Sequence, residues 1–132
     1  MKNIKTAQYD ILNSLDNFER QYIESALWSS MDESTPDGGE PMDKNYDIGD
    51  LSPEAVQKVK QDCQKFRATA NFPEEYDETT AAHDFWLTRN RHGAGFWDGD
   101  WPEPYATELT ELSESFGEVN LYVGDDGKLY FL

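Results

Sequence analysis

His83, Asp84, Arg89, Arg91, His92, Asp98 and Asp100 bring the residue types that do chemistry into one stretch, HDFWLTRNRHGAGFWDGDW, His83 to Trp101. It holds both histidines of the chain, two of its eleven basic residues and three of its four tryptophans. A histidine is the natural acid–base group at neutral pH. Asp98 and Asp100 lie one strand step apart, so their carboxylates could share a cation, with His83 completing a weak metal set. Against this, the histidines lie nine positions apart, unlike the helical ligand spacing of H-E-x-x-H. No serine or cysteine sits in a nucleophile motif. The GAG triplet lacks the rest of a phosphate-binding glycine loop. The stretch is therefore read as non-catalytic and without a cofactor. His83 is expected to be partly buried and hydrogen-bonded, and His92 to be an exposed turn residue.

Two further chemistries fit the same residues. Trp86, Trp97, Trp101 and Phe85 could stack on a base or a cation, with Arg89 and Arg91 gripping a phosphate. That would make a nucleotide binder or sponge. The plainer alternative pairs the two arginines with Asp84, Asp98 or Asp100.

The elements that position these residues follow from periodicity. HDFWLTR and GAGFWDG read as strands with a turn at NRHG. On the first, His83, Phe85, Leu87 and Arg89 share one face, and Asp84, Trp86 and Thr88 share the other. Before them, Asp16 and Glu19 form a capping box ahead of an amphipathic run, which predicts a helix over about 17–29. A shorter helix through Ile4, Ile11, Leu12 and Leu15 is expected before it. Asp32 to Asp50, with three glycines and two prolines, reads as a long acidic surface loop. Ser52 as N-cap and Pro53 at the first helical position open a second helix. Its stripe is Val56, Val59, Cys63 and Phe66, and it places Cys63 in the core as a small apolar residue. A third helix opens at Pro104, carries Tyr105, Leu109, Leu112 and Phe116 inward and ends at Gly117. Asp126-Gly127 between apolar runs predicts a terminal hairpin. The expected fold is α+β over one domain, 1–132. Its helical part runs to about 72. A small antiparallel sheet with one inserted helix occupies about 82–132.

Charge then sorts the function classes. The chain carries 27 acids against 11 bases, a net charge of −16. A face that binds nucleic acid directly, or an anionic membrane, is disfavoured. A basic protein surface is attracted. One cysteine excludes an internal disulfide framework, and no apolar run reaches a membrane span. The N-terminus lacks the apolar core of a signal peptide, so a soluble intracellular protein is expected. In the third helix Glu108, Glu111 and Glu114 recur every three residues, with Glu118 following. At a rise of about 1.5 Å per residue the carboxylates step by about 4.5 Å, against about 3.4 Å between the phosphates of one DNA strand. Such a row could imitate a phosphate backbone. The bland alternative is a solvated helix face.

AAHDFWLTRNRHGAGFWD followed by FGEVNLYVGDDGKLY resembles a family of small, acidic, uncharacterised proteins of bacteriophages and prophages. The similarity covers roughly 81–130. The family carries glycine where this chain has Arg91. The resemblance implies a setting in the host bacterial cytoplasm, where small acidic phage proteins inhibit DNA-binding machinery or immune systems. The resulting expectation is a non-enzymatic protein that binds the basic surface of a host DNA-binding or defence protein, nucleic-acid mimicry being one route. Asp37, Glu40, Asp43, Asp47, Glu108, Glu111, Glu114 and Glu118 would supply attraction. Trp97, Trp101 and Arg89 would supply anchors.

Overall fold

The computed structural model describes residues 12–33 and 39–132. In chain order these form α1 (Asn17–Ser29), β1 (Met31–Asp32), β2 (Glu40–Pro41) and the short α2 (Met42–Asn45). A 3-10 turn over Ile48–Asp50 leads to α3 (Pro53–Thr69) and α4 (Glu78–Arg89). Then come α5 (Tyr105–Ser115), β3 (Leu121–Val123) and β4 (Leu129–Phe131). The class is α+β: helices with two small antiparallel sheets, β1–β2 and β3–β4.

Several elements form as their local chemistry dictates. Asp16 accepts from the Glu19 amide at 2.8 Å, and Glu19 reaches back to the Asp16 amide at 2.9 Å. This capping box satisfies two otherwise orphaned donors and starts α1. Ser52 accepts from the Ala55 amide and Pro53 opens α3, whose Val56, Val59, Cys63 and Phe66 are all buried. Gly117, at φ +76°, ends the last turn of α5 in the left-handed conformation that glycine adopts freely. The terminal hairpin pairs Leu121 with Phe131 and Val123 with Leu129.

The stretch 83–98 is corrected. HDFWLTR is no strand; it is the second half of α4. Asp77 caps that helix by accepting from the Thr79 amide at 3.0 Å. GAGFWDG forms turns rather than a strand. The four-stranded sheet expected in the second half is thus a single two-stranded hairpin beside two helices. The physical reason is burial on every side: each residue from Asp84 to Arg89 is buried. A helix enclosed all round carries apolar groups on all its faces and loses its 3.6-residue signature. Phe85 stacks on Phe66 with ring centroids 4.0 Å apart, and Trp86 meets Tyr22 edge-on at 5.3 Å. α4 therefore forms the spine of the core, with α1 as its principal partner and α5 on another side.

The acidic segment Asp32–Asp50 is more structured than a surface loop. It includes β2, α2 and the 3-10 turn, and Met42 within it is buried in the core. Residues 34–38, Asp37 among them, lie outside the described residues. So does the helix expected through Ile4 and Ile11, although Leu15 is buried and Leu12 packs against the core.

Candidate functional site

α4 scatters the chemistry of the 83–101 stretch instead of gathering it. His83 is half-buried, and its Nδ1 shares a hydrogen bond of 2.7 Å with Ser25 Oγ on α1. His92 is exposed in the turn after α4. Asp98 and Asp100 are exposed; the Asp98 carboxylate accepts from the Gly95 amide at 3.3 Å and so closes its own turn. Among the described residues no group of three or more histidine, cysteine or acidic side chains is placed to hold a metal ion. The His83, Asp98 and Asp100 set is corrected accordingly: its members sit on a helix and on a turn, not on adjacent strand positions.

Two expected anchors are also corrected. Arg89 is only 2% exposed. Its Nη1 donates to Asp62 Oδ2 at 2.8 Å and to the Tyr22 hydroxyl at 3.0 Å. Its Nε and Nη2 donate to the carbonyls of Gly117 and Phe116. The guanidinium thus closes the carbonyl end of α5, where helix termini leave acceptors unsatisfied, and it is not offered to a partner. The ion pairs expected with Asp84, Asp98 or Asp100 are not formed: Arg89 pairs with Asp62 and Arg91 with Glu114. Trp101 is buried, and its indole N–H donates to Asp84 Oδ2 at 2.7 Å. Burial pushes the Asp84 carboxyl above its ordinary range, and the negative charges of Asp98 and Asp100 add to this, while the indole bond opposes it. Phe85 and Trp86 are core residues. The ligand cage therefore keeps only Trp97, 54% exposed, and Arg91 at the surface.

The acids behave differently. Glu108, Glu111 and Glu114 on α5 are all exposed, and Glu118 is exposed just beyond it. The same helix buries Ala106, Leu109 and Ser113 on its inner face. It contains no lysine or arginine. Glu108 accepts from the Asn71 side chain at 3.3 Å, and Arg91 lies 3.8 Å from Glu114 in an exposed pair. Such a contact contributes little in water and leaves the row net negative. In the 39–50 segment Asp43 is exposed. Glu40 is held by Asn45 and by Lys44, which together lower its carboxyl below the usual range. Asp47 is exposed but accepts from the Gly49 amide at 2.8 Å, which fixes its side chain at the start of the 3-10 turn.

Sequence reasoning overlooked Trp28. It is 61% exposed, the most exposed large aromatic side chain among the described residues. The signal was present: Phe18, Tyr22 and Ala26, with Ile23 and Leu27, form the inner stripe of α1, and an aromatic one position past Leu27 falls off that stripe.

No protein-family model matches this chain, and no curated protein or solved structure does so either. Among the described residues no helix is long and apolar enough to cross a membrane.

Proposed function

We propose that this chain is a non-enzymatic, charge-guided binding protein of bacteriophage type that acts in the host bacterial cytoplasm. Its acidic face engages the basic surface of a host DNA-binding or defence protein in the manner of a nucleic-acid mimic. The observation that carries this reading is the outward row Glu108, Glu111 and Glu114 on a helix without a basic residue. Carboxylates held at regular steps on a rigid element keep their spacing, whereas carboxylates on a loop do not. Their summed field raises the encounter rate with a positive surface and rejects negative ones. The overall charge of −16 acts in the same direction. Trp97, exposed on the turn after α4, supplies apolar contact area of the kind that dominates binding hot spots.

Capture from bacterial lysate tests the reading. Tagged protein is washed at low and at moderate salt, and what remains is identified by mass spectrometry. Expected is one DNA-binding or defence protein, retained by the wild type and lost from the Glu108→Gln/Glu111→Gln/Glu114→Gln variant. Retention of the same protein by that variant contradicts the reading.

A further inference from the structure

Away from α5, a groove of about 440 Å³ runs between α1, the segment 43–48 and His83 of α4. Small-molecule clefts span about 300–1,000 Å³, so this one has room for a single long side chain. Its floor is apolar: Leu27 is buried, and Tyr46 and Ile48 are half-buried against the core. One wall is the exposed Trp28 ring, tilted against the His83 imidazole with centroids 5.7 Å apart. The bond from His83 to Ser25 fixes that imidazole, so the aromatic wall is preformed. The rim carries Glu24, Asp43 and Asp47, all exposed, and among the described residues no lysine or arginine lines the groove.

We propose that this groove receives an arginine side chain presented by a basic protein partner. The three parts of that side chain match the three parts of the groove. An aliphatic stem lies on the apolar floor, as long cationic side chains do against apolar surface. A planar guanidinium stacks on an indole more favourably than a compact ammonium, and its N–H fork meets carboxylates with two parallel bonds. Charge complementarity fixes the sign of the occupant: three carboxylates and an aromatic face attract a cation and repel an anion. The inference rests on the charge-guided binding proposed above and gives that binding an anchor on the side of α1. The α5 row supplies attraction without distinguishing arginine from lysine; the groove supplies the distinction.

Calorimetric titration of the full chain with a peptide of alternating glycine and arginine tests this, beside the same peptide with lysine and with uncharged citrulline. Expected is tighter binding of the arginine peptide than of the lysine peptide, with the citrulline peptide weakest. Trp28→Ala is expected to weaken the arginine peptide by about fivefold, the scale of one cation–π contact, and to remove the preference over lysine. Asp43→Asn is expected to act in the same direction. Both residues are exposed, so the fold should persist, and circular dichroism checks that it does. Equal affinity for arginine and lysine peptides, or an unchanged arginine affinity in Trp28→Ala, would overturn the groove. The triple glutamine variant of α5 reads the other claim separately: it should weaken both cationic peptides alike and leave the arginine preference intact. If it changes neither affinity, the α5 reading fails while the groove stands. Undetectable binding of the arginine peptide to the wild type overturns the groove outright.

Discussion

Arg89 on α4 and Asp62 on α3 form an ion pair of 2.8 Å whose side chains are 2% and 13% exposed. The same guanidinium holds the carbonyls of Phe116 and Gly117 and the Tyr22 hydroxyl. One side chain thus joins α1, α3, α4 and the end of α5, the helix that displays the acidic row. Removing it leaves Asp62 with only the exposed Lys58, 3.2 Å away, as a charge partner among the described residues, and takes a donor from the carbonyls of Phe116 and Gly117 that close α5. Arg89→Ala is expected to cost about 3–5 kcal/mol of stability, the scale for breaking a buried ion pair. Arg89→Lys keeps the charge but not the fork and should still be clearly destabilised. Urea denaturation measures both. A loss below about 1 kcal/mol, the scale of an exposed pair, for Arg89→Ala would contradict the structural role.

Burial raises the Asp84 carboxyl above its ordinary value, and Asp98 and Asp100 reinforce the shift. The folded state therefore binds this proton more tightly than the unfolded state does. Its contribution is fully present below about pH 4, where an unfolded aspartate titrates, and is lost as pH rises through the higher folded value. In Asp84→Asn the amide oxygen still accepts the Trp101 indole N–H, but the side chain cannot ionise. The stability of Asp84→Asn relative to wild type should therefore move in the variant's favour as pH rises from about 3 to 7. Denaturation midpoints across that range check the sign; a trend in the opposite direction contradicts it.

Cys63 is fully buried on the inner stripe of α3. Burial pushes its thiol well above the ordinary range, with the Glu19 charge adding to the effect. Only the thiolate is nucleophilic. The folded protein should resist a water-soluble disulfide reagent at neutral pH and react fully once denatured by urea. Rapid labelling of the folded protein would show that the α1–α3 contact opens easily.

The turn after α4 sets two glycine questions against each other. Gly95 sits at φ +151°, and a Cβ there would collide with the Thr88 hydroxyl, which accepts from the Phe96 amide. Gly95→Ala should cost about 1–3 kcal/mol from overpacking and strain. Arg91 occupies φ +56°, where a side chain is disfavoured and glycine is not. It meets Glu114 only at 3.8 Å in an exposed pair. Arg91→Gly should be neutral or stabilising. Thermal melts of the two variants should therefore shift in different directions or by clearly different amounts.

The elements legible in the sequence were those with one wet face. α1 and α3 carry an apolar stripe against polar residues, and each begins at a side-chain cap that local chemistry alone specifies. The β3–β4 hairpin announces itself through Asp126-Gly127, and Gly117 marks the end of α5. α4 was illegible for the opposite reason. With Asp84 to Arg89 buried throughout, the charged ends included, no solvent-facing polar side marks the helical period, and a two-residue alternation fits the stretch as well as a helical one does. The deciding signal lay upstream, where Asp77 caps and Ala81 and Ala82 favour helix. Reading 83–89 as a strand leaves Arg89 and Trp101 at the surface, whereas the structure buries both. The exposure of the α5 acids is legible, because the inward side of the helix, with Ala106, Leu109 and Ser113 buried, leaves the glutamates nowhere else to point. The groove beside Trp28 joins residues from three elements, and no periodicity within one segment could reveal it.

If the α5 carboxylates stand in for phosphates, the protein must compete with DNA for its partner, and that competition is the most direct test. The protein captured from lysate is loaded with fluorescent duplex DNA and titrated with wild type or with the α5 triple glutamine variant, and polarisation is followed. Displacement of the DNA by wild type, weakened by added salt and lost in the variant, is the expected result. Equal displacement by both proteins, or binding of the wild type without any displacement, would contradict it.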